Sequence, residues 1–223
     1  MTHILMNTYK ISNPHYLSVL QKYIKPSHKI CVVPFSFRES DIPSDEVWQK
    51  LYSEKNGIFR KGLVSVYEKF GISETQIEYI DYFTDTQQTA KKMIQNADVL
   101  YFTGGLPDKM YERLDEFGLI PAIQSFDGIV MGDSAGAVIQ FDCYHLSPDR
   151  DYPDFSYYEG LHLLTGFQIE VHYENQKIQN ESIQKVIAEK KVPVYAMPDD
   201  SILICENSSV VTLGDVKFFP CEE

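Results

Sequence analysis

Short apolar runs alternate with amphipathic stretches along most of the chain. Strand-like runs, rich in β-branched and aromatic residues, are predicted at residues 3–8, 29–35, 76–83, 99–102 and 128–132. Helices are predicted where apolar positions recur at helical spacing, at residues 14–24, 44–70, 86–96 and 107–126. The second of these is predicted as one broken helix or two short ones. This alternation predicts an α/β fold in which helices cover both faces of a mainly parallel sheet.

The pattern changes after a further helix that begins near Ala135. Residues 142–160 are polar, rich in Asp, Tyr and Pro, and follow neither period, which predicts a long loop that could cover a binding site. Residues 167–173 then indicate a strand and 181–189 a helix. Several short strands are predicted over 192–219, with turns at Asn207-Ser208 and Gly214-Asp215, and we expect them to add antiparallel strands at an edge of the sheet.

Length and composition narrow the class of protein. At 223 residues with no linker-like stretch, the chain is expected to form a single domain over 1–223. A net charge of −12 without a basic run argues against a nucleic-acid partner, and no apolar stretch is long enough for a membrane span or shaped like a secretion signal. We therefore expect a cytoplasmic protein. The four cysteines have neither zinc-ligand nor disulfide-framework spacing, so no metal or other cofactor is predicted: Cys31, Cys143, Cys205 and Cys221.

The most informative segment is Gly132-Asp133-Ser134-Ala135-Gly136-Ala137. A buried-type strand runs into G-x-S-x-G and then into a helix-permissive sequence, the context in which such a serine is a nucleophile. Small neighbours allow the sharp turn that exposes the hydroxyl group. Ser134 is the predicted nucleophile.

A nucleophilic serine needs a base and a group that orients the base. His172 follows a β-rich run expected to end at the same sheet edge as Ser134, and it is the predicted base, with His145 and His162 as alternatives near the polar loop. The orienting acid stays open from the residues alone. The carboxylates between serine and histidine are Asp149, Asp151, Asp154 and Glu159.

A pair of glycines follows the strand at 99–102. Gly104 and Gly105 would bring backbone N–H groups beside Ser134, and Gly105 with Ala135 is predicted to form an oxyanion hole. The alternative is an ordinary strand-to-helix turn in which Pro107 starts the next helix.

Together these segments resemble peptidase family S51, the dipeptidase E group, over most of the chain. The resemblance implies the class I glutamine amidotransferase-like, flavodoxin-like three-layer fold and a serine peptidase acting on small peptides. It also implies Asp149 as the orienting acid, from its interval after Ser134. The matching segments are Val32-Val33-Pro34-Phe35, Phe102-Thr103-Gly104-Gly105, Gly132 to Ala137, and Val171-His172-Tyr173.

Two departures from the family pattern bear on substrate binding. The family's Gly-Gly-Asn-Thr turn is Gly104-Gly105-Leu106-Pro107 here, and Val138 replaces an Asn after the serine. The family's preference for an N-terminal aspartate would require a cation, for which Arg38 is best placed, with Gly104 also at the substrate.

Other activities remain as alternatives. These are a serine esterase of another type and a non-catalytic binding or regulatory homologue with a degenerate site. Glutamine amidotransfer would need a cysteine where Ser134 stands. The assembly, monomer or homodimer, is left open.

Overall fold

The computed structural model describes residues 1–11, 13–53, 57–207 and 209–221. Eight helices and twelve strands lie in these ranges, with 3₁₀ turns at Glu68–Phe70 and Glu74–Gln76. The helices are α1 (Pro14–Leu20), α2 (Asp45–Tyr52), α3 (Ile58–Tyr67), α4 (Gln87–Asn96), α5 (Pro107–Glu116), α6 (Ile120–Gln124), α7 (Ala135–Val138) and α8 (Lys177–Lys190). The strands are β1 (Thr2–Met6), β2 (Ile30–Val33), β3 (Ile77–Tyr79), β4 (Val99–Phe102), β5 (Ile129–Asp133), β6 (Cys143–Leu146), β7 (Ser156–Glu159), β8 (Gln168–Glu170), β9 (Val194–Ala196), β10 (Ile202–Glu206), β11 (Ser209–Leu213) and β12 (Lys217–Phe219).

Seven strands form the central sheet in the order β11-β10-β1-β5-β4-β2-β3. The five strands from β1 to β3 in that order pair in parallel, whereas β10 and β11 add antiparallel at one edge. The predicted mainly parallel sheet with antiparallel strands near the C-terminus is therefore confirmed. Its parallel strands bring their carboxyl ends to one edge, where binding sites of such sheets form.

Apolar side chains cover both faces of the sheet. On one face Ile4, Val32 and Met131 pack against Leu20 of α1 and Tyr67 of α3. On the other face the alternate strand residues pack against α4, α5 and α6. Because successive strand residues point to opposite faces, the continuous apolar strands require helices on both sides.

Two smaller sheets extend this core. Strands β8 and β9 pair in parallel and β12 joins β9 antiparallel. Strands β6 and β7 form an antiparallel hairpin within residues 142–160, where the sequence predicted only a loop. The hairpin buries consecutive residues Tyr144 and His145, so it lacks the alternation by which a half-exposed strand is recognised.

The other predicted helices and turns agree with the structure in part. The broken segment at 44–70 forms α2 and α3, although residues 54–56 lie outside the described ranges. Helix α8 begins at Lys177, ahead of the predicted start at 181. Asn207 and Gly214 both have positive φ, while Ser208 of the first predicted turn is outside the described residues. Among the described helices, none has the length and apolar character of a membrane span.

Candidate active site

Ser134 lies on a strained turn between β5 and α7. Its φ of 50° and ψ of −110° are outside the regions that most residues adopt, and its backbone N–H donates to the Met6 carbonyl at 2.8 Å. The flanking positions, Gly132 and Gly136, have no room for a side chain. A Cβ on Gly132 would lie 2.0 Å from the Gly136 carbonyl oxygen, and a Cβ on Gly136 would lie 2.0 Å from that of Phe102.

His172 follows β8 and reaches the serine. Its Nε2 lies 2.9 Å from Ser134 Oγ, and its backbone N–H donates to Asn7 Oδ1 at 3.2 Å. Its carbonyl oxygen accepts from Gln179 Nε2 at 2.9 Å, so the residue is held by its backbone as well as its ring. The structure therefore brings together the predicted serine and histidine in hydrogen-bonding geometry.

The structure brings Asp199, not Asp149, to the other ring nitrogen of His172. Asp199 Oδ1 lies 2.6 Å from His172 Nδ1. Asp149 instead folds its carboxylate onto its own loop, where Oδ1 accepts from the N–H groups of Asp151 at 2.7 Å and Tyr152 at 2.8 Å. These two bonds form a local turn that directs the Asp149 carboxylate to its own loop.

The other candidate residues also have different partners. Asp151 pairs with Arg38, whose guanidinium lies 3.8 Å from Asp41 as well. Glu159 lies 3.3 Å from His162. Within the described part of the chain, Asp151, Asp154 and Glu159 form no hydrogen bond with His172.

Asp199 follows His172 in the sequence, outside the interval between Ser134 and His172 in which the acid was predicted. The signal was nevertheless present: Asp199 follows the strand-like Val194–Ala196 much as His172 follows Gln168–Glu170. These two strands pair in parallel, so their carboxyl ends meet. Two polar residues beyond parallel neighbours are therefore expected side by side.

Gly104 and Gly105 contact different parts of the structure. Gly105, at φ 140°, lines the cavity at Ser134 together with Ala135. The Gly104 N–H donates to the Asp133 carboxylate and its carbonyl accepts from Ser36 Oγ at 2.5 Å. Gly104 thus holds the turn and lines a different cavity.

A cavity of about 490 Å³ surrounds Ser134 and His172. Its far wall contains Glu170, which is buried and bonded to His145 Nε2 and Ser147 Oγ, both at 2.8 Å. His145, an alternative base in the sequence analysis, therefore pairs with Glu170 and not with Ser134. Among the described lining residues are four carboxylates and neither lysine nor arginine: Asp149, Asp151, Glu170 and Glu174.

The residue before Ser134 is a buried acid. Asp133 accepts from Tyr101 OH at 2.5 Å on the other side of β5 from the cavity at Ser134. Burial raises the pKa of Asp133 to about 6, against a smaller opposite effect of these hydrogen bonds and of His172. Within the described ranges, no group of three or more His, Cys, Asp or Glu side chains could hold a metal ion.

Fold and site together define a hydrolase-type α/β protein with a Ser-His-Asp hydrogen-bonded chain at the carboxyl edge of its sheet. The model of peptidase family S51 matches residues 53–213. The chain belongs to peptidase family S51, and by class it is a serine-type peptidase.

Solved structures share the fold at low sequence identity. A candidate peptidase E protein from Listeria monocytogenes EGD-e superposes with a TM-score of 0.64 at 17% identity, covering 95% of this chain and 97% of that one. A peptidase from an acI-B1 Actinobacterium gives a TM-score of 0.66 at 13% identity, covering 99% and 90%. No curated protein sequence matches the chain. The predicted flavodoxin-like, class I glutamine amidotransferase-like fold is confirmed.

Proposed function

We propose that this protein hydrolyses short peptides through an acyl-enzyme, with Ser134 as nucleophile, His172 as base and Asp199 as the orienting carboxylate. The observation that carries the proposal is the continuous hydrogen-bonded chain from Ser134 Oγ through both ring nitrogens of His172 to Asp199. The base can take the hydroxyl proton while the carboxylate fixes the tautomer and stabilises the imidazolium.

The backbone supports the charge that develops during attack. As Ser134 Oγ bonds to the peptide carbonyl carbon, His172 takes its proton and negative charge forms on the carbonyl oxygen. The Ser134 N–H is engaged by Met6, whereas Ala135 is the first residue of α7 and its N–H has no intrahelical partner. We assign the oxyanion to the N–H groups of Ala135 and Gly105, which line the same cavity.

The second half of the reaction reverses these roles. The C–N bond breaks and His172 passes its proton to the departing amine. A water then gives a proton to His172 and attacks the Ser134 ester, releasing the acid and restoring the hydroxyl group. No cofactor enters this scheme.

The walls of the cavity favour a short substrate. The β6–β7 hairpin and the loop between its strands contribute Leu146, Asp149 and Tyr152 to the wall of the cavity around Ser134. A volume of about 490 Å³ lies within the range of ligand cavities for small molecules. Short peptides therefore fit the site better than an extended protein chain.

Electrostatics bear on the N-terminal residue of the substrate. Arg38, the expected partner of an N-terminal aspartate, is already paired with Asp151 and near Asp41. Asp149 and Glu174 of the cavity form no ion pair within the described residues, so they attract a peptide's ammonium group and disfavour an additional acidic side chain. Preference for N-terminal aspartate stays a prediction, and we expect neutral or basic first residues to be cleaved at least as well.

A dipeptide panel tests the activity. Release of free amino acids is measured for Asp-X, neutral-X and Lys-X peptides with the wild type, Ser134→Ala, and Ser125→Ala, which alters an exposed serine outside the cavity. We expect cleavage that falls by at least about 10³-fold in Ser134→Ala only. Cleavage that persists in Ser134→Ala would overturn the proposal.

A fluorophosphonate probe separates the remaining alternatives. Labelling of Ser134 with hydrolysis of aryl esters but of no peptide would favour an esterase. Absence of labelling in a folded protein would favour a non-catalytic homologue.

A further inference from the structure

A second cavity, of about 200 Å³, lies on the other side of the turn that carries Ser134. Its described wall is mainly aromatic and comes from the loop after β1, from α2 and α3, and from the ends of β3 and β4. The aromatic residues are Tyr9, Tyr52, Phe59, Tyr79 and Tyr101. Aromatic faces carry partial negative charge, so a cavity built from them favours cations and other rings.

This cavity is separate from the one around the serine. Asp133 and Gly104 line the aromatic cavity, whereas the next residues, Ser134 and Gly105, line the other. The two cavities therefore share a wall that is formed by the Asp133-Ser134 and Gly104-Gly105 segments.

The acid at the end of the aromatic cavity, Asp133, forms no ion pair within the described residues. Asp133 is only 9% exposed, and it accepts hydrogen bonds from Tyr101 OH and from the Gly104 N–H. The backbone N–H of Asp133 itself is a third donor to the carboxylate. An ionised carboxylate has about four acceptor positions, so about one remains. Among the described lining residues there is no lysine, arginine or histidine. A buried carboxylate without an ion pair is costly, and a bound cation would offset that cost.

A second polar group of the wall also lacks a partner. The hydroxyl oxygen of Tyr79 is buried and makes no hydrogen bond within the described residues. Arg60 lies 4.7 Å from the centroid of the Tyr79 ring, but its guanidinium is bonded to Glu74 and to the Ile77 carbonyl. The charge of Arg60 is thus used outside the cavity.

We propose that this aromatic cavity binds a small primary amine with an aromatic body, whose ammonium group bonds to Asp133. A cavity of about 150 Å³ accepts benzene in an engineered case, so 200 Å³ accommodates a ring with a short aminoalkyl arm. The ring lies among the tyrosines and the ammonium group supplies the missing countercharge. Neither Asp133 nor the amine takes part in the proposed peptide hydrolysis, so the proposal of an amine site stands independently of the proposed function.

Calorimetric titration of the whole protein tests the proposal with probes of one shape and different charge. These are 2-phenylethylamine, 2-phenylethanol and phenylacetate at neutral pH. We expect the amine to bind in the millimolar range or tighter, at least about tenfold more tightly than the alcohol, and phenylacetate not to bind. Equal affinity for amine and alcohol, or no binding of the amine, would overturn the proposal.

Variants locate the bound amine. Leu63→Trp fills the cavity from α3, Phe59→Ala removes part of its half-exposed wall, and Asp133→Asn removes its charge. Each variant is expected to weaken binding of the amine at least about tenfold. Circular dichroism identifies the variants that are folded. Because Phe59 is 49% exposed, that variant preserves the test where the others fail to fold.

Blocking Ser134 distinguishes the two cavities. The amine is titrated into Ser134→Ala and into protein labelled at Ser134 by a small phosphonate. We expect the amine to bind both of these proteins as tightly as it binds the wild type. Loss of binding in both would mean that the amine occupies the peptidase cavity, which contradicts the proposal.

Discussion

Two aspartates near His172 have different surroundings, and their roles can be separated by substitution. Asp199 contacts the ring, whereas Asp149 caps its own turn. Asp199→Asn leaves the shape unchanged but removes the charge that stabilises the imidazolium, so we expect kcat to fall by roughly 10³-fold. Asp149→Asn is expected to lower kcat by less than about tenfold. Steady-state kinetics on one dipeptide compare the two, and the reverse order would restore Asp149 as the orienting acid.

Asp133 makes a separate prediction about stability and pH. Burial raises its pKa to about 6 in the folded state, above the usual value near 4 of an unfolded chain. Its contribution to stability is therefore fully present below pH 4 and declines as pH rises towards and through 6. Between pH 4 and pH 7 this amounts to about 2 kcal/mol.

Asp133→Asn cannot titrate, so it removes this decline. Urea unfolding at pH 4 and pH 7 should show the variant gaining about 2 kcal/mol relative to wild type across that range. Asp127→Asn, at an aspartate whose side chain is 95% exposed, serves as the matched control and should follow the wild type. Parallel profiles for Asp133→Asn and wild type would refute the buried-acid interpretation.

At the scale of elements, the turn between β5 and α7 depends on close backbone approach. Gly136→Ala would place a Cβ 2.0 Å from the Phe102 carbonyl oxygen, within the rigid core of the sheet. We expect a loss of at least about 4 kcal/mol in the free energy of unfolding, or failure to fold. Gly166→Ala is the control, because Gly166 has φ 87° but no atom within 4 Å of an added Cβ.

Gly166→Ala should cost only the backbone strain of about 1–2 kcal/mol. Denaturant unfolding measures both variants. A similar small loss at both positions would show that the turn can relax, and that the glycines of G-x-S-x-G are not required for packing.

The elements that sequence patterns predicted best are those buried on both faces. Strands β1, β2, β4 and β5 read as continuous apolar runs because helices cover both sides, and they positioned Ser134 correctly at a strand end. The β6–β7 hairpin was not predicted, because its short strands, which carry three tyrosines, are stabilised by contacts with distant residues. Tyr144, for example, packs with Phe167 and Leu203.

At the scale of the molecule, the candidate site is assembled from two sheets. Ser134 comes from the seven-stranded sheet, whereas His172 and Asp199 follow β8 and β9 of the three-stranded sheet. A sequence read element by element does not give the relative position of the two sheets. This is why the carboxylate bonded to His172 could not be identified by its separation along the chain, whereas the place of Ser134 at a strand end could.

Asn7 joins the two sheets at this point. It follows β1 and is only 2% exposed, and its Nδ2 donates to the carbonyl oxygens of Met197 and Pro198, both at 2.6 Å. Its Oδ1 accepts from the His172 N–H. One side chain therefore contacts both the segment that carries His172 and the segment that leads to Asp199, and we predict that Asn7 is a positioning residue.

Asn7→Asp conserves shape but replaces the two donated hydrogen bonds with repulsion between oxygens. We expect kcat to fall about 10–100-fold while KM changes little, because Asn7 does not line the cavity around Ser134. Asn13→Asp is the matched control, since Asn13 caps α1 by accepting from the His15 N–H, and an aspartate preserves that bond. Kinetics and thermal unfolding are measured on both variants. A lower Tm in Asn7→Asp with unchanged kcat would mean that Asn7 stabilises the fold without positioning His172, whereas a loss of kcat exceeding that of the control would show that the alignment of the two sheets limits the chemistry.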